Sequence, residues 1–124
     1  MKVILSIKPH FAEKIFEGTK KFEFRRSIFK NPNVKRVVVY ASAPVSRIIG
    51  EFEIEEILHN EIDSLWDSTK FYSGISEDYY FNYFKGKDYG FALKIKRAKK
   101  YKKSYSIKER FGLLPPQSFA YIRE

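Results

Sequence analysis

The sequence predicts a small α+β domain: a strongly bent mixed sheet or barrel of five to six short strands, with short helices inserted between them. Three observations carry that prediction. Six stretches show either the two-residue alternation of a half-buried strand or an unbroken β-branched run. Proline and glycine punctuate them at short intervals. The 124 residues, 44% hydrophobic and 18% aromatic, suffice for one core but not two, so residues 1–124 read as a single domain.

Residues 2–7 form the first short buried strand. Pro9 suits the first turn of a helix whose face is Phe11, Ala12, Ile15 and Phe16, and Gly18 stands where a left-handed cap would end it. Phe22 and Phe24 then alternate with Lys21, Glu23 and Arg25, which predicts a strand with the rings in the core and a charged face outward. Strict alternation puts Lys20 on the phenylalanine side. After the Asn31-Pro32-Asn33 break, residues 35–43 are apolar on both faces, as a central strand is.

Residues 47–58 give a strand with Phe52 and Ile54 inward and Glu51, Glu53 and Glu55 outward, its phase slipping at Glu55-Glu56. Gly50 in its middle allows a bulge or a close backbone approach. Across 60–87 the pattern turns helical: Asn60 can cap a turn carrying Ile62, Leu65 and Trp66, and Ser76 a helix over 77–85, closed by Gly86. Tyr79, Tyr80, Tyr83 and Phe84 recur there at helical spacing, which points to core before it points to base stacking. A long strand begins at Tyr89 and runs into the basic stretch RAKKYKK. The tail offers a short helix over 106–111 stopped by Gly112, a Pro115-Pro116 turn, and a last strand over 118–122.

The charge is arranged in blocks. Residues 1–50 carry eleven Lys/Arg against three acids, residues 51–78 one against nine, and residues 79–124 twelve against three, for a total of +9. If the basic blocks converge in space they attract a polyanion; the competing reading is a solvated lysine-rich surface. The acidic middle could alternatively serve a protein partner.

Several chemistries are disfavoured. With no cysteine there is no disulfide, thiolate nucleophile or Cys-based zinc site. His10 and His59 stand alone, without ligand spacing, and no phosphate-cradling glycine loop or Gly-x-Ser-x-Gly elbow occurs. Solvated alternation accounts for Glu51, Glu53 and Glu55 more simply than a divalent cation does. The apolar opening is too short for a signal peptide or a membrane span, so a cytoplasmic protein with neither metal nor cofactor is expected.

The stretch FEGTKKFEFRRSIF holds the candidate site. Arg25 would offer a planar fork to a phosphate or base edge, Lys20 a point charge, and Glu23 a carboxylate that orients them or accepts from an exocyclic amine. The competing reading is that Glu23 and Arg25 only brace the strand. Its spacing, Gly18-x-Lys20-x-x-Glu23-x-Arg25, resembles the G-x-K-x-x-E-x-R signature of the ASCH domain family, one of the PUA-like β-barrels. The likeness extends to SIKPHFAEKIFEG, RVVVYASAPV, GEFEI and PPQSFAYI, and so to most of the chain.

The resemblance implies a PUA-like barrel whose cleft, lined by the signature lysine and arginine, takes a nucleotide-sized anion. ASCH domains are generally proposed to bind RNA; some act as regulators or nucleases, and one branch hydrolyses N4-acylated cytidine. The expected function is therefore a nucleic-acid binding module for RNA or a single-stranded or flipped base. The alternative is a metal-independent ribonuclease, or an amidohydrolase on a modified nucleoside such as N4-acylcytidine, with Lys20 and Glu23 catalytic. The carry-over reaches Lys20, Glu23 and Arg25, with Gly18 shaping the turn; Lys8, Tyr40, Ser42, Gln117 and Ser118 are added from neighbouring strand ends. One departure matters: the deacylating branch has a threonine nucleophile where this chain has Glu23, and Ser42 or Ser118 could replace it only by reaching Lys20.

Overall fold

The computed structural model of the protein describes residues 1–123. Its elements run β1 (Lys2–Ile7), α1 (Pro9–Glu17), β2 (Phe22–Arg25), β3 (Arg36–Ala41), β4 (Arg47–Glu61), α2 (Ile62–Thr69), a 3-10 turn (Lys70–Tyr72), α3 (Glu77–Tyr83), β5 (Tyr89–Tyr105), α4 (Ile107–Phe111) and β6 (Phe119–Ile122). The strands form one six-stranded mixed sheet in the order β2-β5-β4-β3-β1-β6. Among the described residues only β1 and β3 pair in parallel, the crossover between them passing through α1 and β2. The architecture is α+β as expected, but the sheet is not closed: β2 and β6 are its two edges. No helix among the described residues is long and apolar enough to cross a membrane.

Local chemistry accounts for most element ends. Gly18 closes α1 at φ 89°, its N–H donating back to the Lys14 and Ile15 carbonyls. The Ser76 and Ser106 hydroxyls cap α3 and α4 by accepting from the Tyr79 and Glu109 amides. Three boundaries depart from the sequence reading. The phase slip at Glu55-Glu56 is a register irregularity that β4 absorbs, continuing to Glu61 while paired with β5. Asn60 therefore lies in the strand, and Glu61 precedes α2 without a side-chain cap. The second predicted helix ends at Tyr83 rather than Lys85.

Gly50 serves both roles offered for it. The β4 register shifts beside it, and a methyl group there would lie 2.5 Å from the Lys99 carbonyl oxygen and from the Phe16 ring. The main core packs Val3, Leu5, Ile7, Ala12, Ile15, Val37, Val39, Phe52 and Leu93 between the sheet and α1. A second apolar cluster, around Phe22, Phe24, Leu65, Trp66, Tyr80 and Phe84, seats α2 and α3 against β2 and β5.

The charge blocks meet as cross-strand pairs. Glu51 lies 3.1 Å from Arg36 and 3.5 Å from Lys2, Glu53 lies 2.9 Å from Arg36 and 3.6 Å from Arg97, and Glu55 lies 3.1 Å from Lys94. The first three acids of the block thus face cations from the two basic blocks. The more exposed of these pairs each contribute on the order of 0–1 kcal/mol, so they set register more than stability.

Candidate functional site

The signature stretch does not form a solvated face. Glu23 is only 6% exposed and its carboxylate lies 3.1 Å from the Arg25 guanidinium, itself largely covered. The edge position of β2 is responsible: β2 ends beside β1 and the chain entering β6, and Arg25 spans the gap. Its Nη1 donates to the Ser6 carbonyl at 3.3 Å and to Glu23, and its Nη2 donates to the Ser118 carbonyl at 3.0 Å. Most of its terminal donors are engaged by the protein, so the fork expected to meet a ligand instead ties the two sheet edges together.

Lys20 does lie on the phenylalanine side, as alternation predicts, and still reaches the cavity. It is 2% exposed, its ammonium 5.3 Å from the Phe11 ring centroid and 5.0 Å from that of Phe24, and it donates to the Ser73 carbonyl at 2.6 Å. Burial pushes its pKa down to about 8, with a smaller contribution from Lys14, while the Glu23 carboxylate pulls the other way. A lysine so placed can carry or release a proton near neutral pH.

These groups line a cavity of about 230 Å³ between the C-terminal ends of β1 and β2, the start of α1, and α3. Lys8, Lys20, Glu23, Arg25 and Gln117, all expected on the site, are on its wall. Lys8 holds its ammonium 5.3 Å from the Tyr79 ring centroid. Ser118 reaches the site through Arg25, its hydroxyl 3.5 Å from Nη2. Tyr40 and Ser42 are not brought there: Tyr40 is 5% exposed and packed with Ile4, Val38, Ile48, Ile107 and Ile122, while the Ser42 amide donates to the Ile7 carbonyl.

Sequence reasoning missed Ser6, Phe11, Phe24, Tyr79 and Tyr83, which also line the cavity. For the tyrosines a signal existed. Tyr79 and Tyr83 are four apart on one face of α3, stacked at 12°, while Tyr80 and Phe84 occupy the other face in the core. Nor does the basic run join this cavity: none of residues 94–103 lines it. Lys94, Lys96 and Arg97 instead edge a separate groove behind Lys20, and Lys99 to Lys103 a third depression beside Lys2 and Arg110.

An open six-stranded mixed sheet with a buried lysine and a bridging arginine at one cavity defines a small α+β domain. The ASCH domain model matches residues 5–110, and the chain belongs to the ASCH domain family. It is 32% identical over 126 residues to the ASCH domain-containing ribonuclease of Zymomonas mobilis, covering 99% of this chain and 85% of that protein. Its fold matches the crystal structure of ASCH from Zymomonas mobilis with a TM-score of 0.90 at 30% identity, over 99% of this chain and 88% of that one. It is also 30% identical over 121 residues to a Ureaplasma parvum protein named large ribosomal subunit protein uL22, but spans only 39% of that relative's length.

Proposed function

We propose that the protein is an RNA-binding module that holds a single-stranded or flipped base in the cavity beside the signature turn. The observation that carries this reading is the cavity wall: the stacked Tyr79 and Tyr83 rings, the Lys8 ammonium over Tyr79, and the buried Lys20–Glu23–Arg25 cluster behind them. A base stacks on the tyrosine face, its polar edge meets Glu23 and Lys20, and its phosphate meets Lys8 at the mouth. The volume, below the about 300–1,000 Å³ of most small-molecule sites, suits one base and excludes a duplex. Arg25 contributes charge and rigidity here, not a free fork.

Fluorescence anisotropy with single-stranded RNA tests the reading. Binding that weakens steeply with salt and falls about tenfold in Tyr79→Leu, the loss of one stacked base, is the expected result. Unchanged affinity in both Tyr79→Leu and Lys8→Ala would remove the base from the cavity.

A second reading, RNA cleavage without metal, is favoured by the lowered pKa of Lys20 and by the likeness to a ribonuclease. Lys20 would then act as general acid or as stabiliser of charge on the phosphate. Cleavage of labelled RNA in chelator by the wild type but not by Lys20→Met supports it; equal cleavage by both refutes it. The amidohydrolase alternative gains nothing from the geometry, because the bonded partner of Lys20 is the Ser73 carbonyl and the Ser118 hydroxyl faces Arg25.

A further inference from the structure

On the far side of Lys20 from the cavity lies a second, larger concavity of about 630 Å³, between the end of α1, the 3-10 turn and the middle of β5. Two aromatic rings stand at its rim in water: Phe71 is 85% exposed and Tyr72 52%. A phenylalanine so exposed contributes nothing to the core. The cations Lys21, Lys94, Lys96 and Arg97 share the same wall, against Glu17 and Glu55. Glu55 is taken up by Lys94 at 3.1 Å, and the side chain of Arg97 is 71% exposed although its Nε lies 3.6 Å from Glu53.

One residue holds the two walls together. The Lys21 amide donates to the Tyr72 carbonyl at 2.8 Å, its carbonyl accepts from the Ile95 amide at 2.9 Å, and its ammonium lies 4.5 Å from the Tyr72 ring centroid. Tyr72 is thus held beside β5 and its cations, with Phe71 next to it in the chain, its ring centroid 5.8 Å from the Lys70 ammonium. Water-facing rings interleaved with cations along a groove are what a single strand of nucleic acid requires: bases stack on the rings whatever their identity, and phosphates follow the positive side chains. An acidic peptide would satisfy the cations but make no use of the water-facing ring surfaces.

We propose that this groove is an additional binding surface for single-stranded nucleic acid, with Phe71 and Tyr72 as stacking platforms and Lys21, Lys96 and Arg97 as phosphate contacts. The inference rests on the nucleic-acid reading above but does not require the cavity to be filled. It assigns the start of the basic run a ligand of its own, apart from the signature cluster.

Anisotropy with a labelled 12-nucleotide RNA tests it. Phe71→Leu, which keeps an apolar side chain on the surface and removes the ring, should weaken binding about tenfold. Lys96→Gln with Arg97→Gln should lower the slope of log K against log salt by about 1.4, two single-strand phosphate contacts. Lys102→Gln with Lys103→Gln, which removes the same charge outside the groove, should leave both readouts near wild type. The proposal is overturned by wild-type affinity in Phe71→Leu, by equal effects of the two charge pairs, by a wild type that ignores the 12-mer, or by polyglutamate binding in its place. Tyr79→Leu separates the two sites: an effect there with none at Phe71 leaves only the cavity, and the reverse leaves only the groove.

Discussion

Arg25 and Ser118 meet across the open side of the sheet, the Nη2 of Arg25 donating to the Ser118 carbonyl at 3.0 Å. β2 and β6 share no backbone ladder, so this side-chain bond, with that to Ser6, brings the two edges together. The side chain that a nucleic acid was expected to meet is therefore first a structural brace.

Arg25→Ala should accordingly destabilise the fold by about 3 kcal/mol, because it leaves the Glu23 carboxylate buried without its partner. Arg25→Lys should recover only part of that loss, since one ammonium cannot serve carbonyls on two strands and a carboxylate together. Urea denaturation followed by the emission of Trp66, the single tryptophan, measures both. A loss under about 1 kcal/mol in Arg25→Ala would show that the edges hold without it.

Lys20 makes stability depend on pH in the alkaline range. Its pKa is lowered from 10.5 to about 8 in the folded chain, so between those values the unfolded chain binds more protons. Its contribution to stability is lost as pH falls through about 8 and is fully present above 10.5. Relative to Lys20→Met, the wild type should therefore gain up to about 3 kcal/mol between pH 7 and pH 10.5. A pH-independent difference in denaturation midpoints would mean that Lys20 titrates as an ordinary surface lysine.

Gly74 packs against that lysine. It has φ +69°, and a methyl group there would lie 2.5 Å from Lys20 Cβ and 2.6 Å from Cγ. Gly18→Ala, at φ +89° with nothing within 4 Å, should cost only the about 1–2 kcal/mol of a left-handed alanine. Gly74→Ala should cost at least about 1 kcal/mol more, through overpacking, and should also weaken RNA binding by moving Lys20. Equal thermal midpoints for the two variants would contradict the contact.

Glu51 gathers the Tyr101 hydroxyl at 2.7 Å, Arg36 and Lys2. Burial tends to raise its pKa, and the three partners together outweigh that, leaving it below the ordinary value of 4.5. A carboxylate shifted down stabilises the fold above its unfolded pKa and loses that contribution as pH falls. Wild type should therefore exceed Glu51→Gln in stability at pH 7, and the gap should narrow below pH 4.5. A gap that stays constant in acid would assign the difference to packing alone.

What the chain reveals before folding is what depends on near neighbours. The Phe22/Phe24 alternation, the β-branched run of β3, Gly18 as a cap and the serines before α3 and α4 are each decided within about four residues. The site is built otherwise. Arg25 and Ser118 are 93 residues apart, and Lys20 and Ser73 are 53 apart, so neither bond has a local signature. The spacing of Tyr79, Tyr80, Tyr83 and Phe84 divides them between two faces, but only the packing of α3 on β2 decides which face is core. Tyr40 lies on a strand apolar on both sides, a pattern that already points its ring into the core and away from the cleft.

The basic run has a further consequence for how molecules of this protein meet. Beyond Ile95, whose amide still donates to the Lys21 carbonyl, the outer edge of β5 pairs with no strand among the described residues. Six lysines and arginines fall between Ile95 and Tyr105. A second copy docking along that edge would bring two such runs of positive charge together, which discourages strand-to-strand stacking. The positive stretch should therefore keep the longest strand of the fold from templating its own aggregation. Neutralising it should be felt first as lost solubility at high concentration, while the fold itself persists.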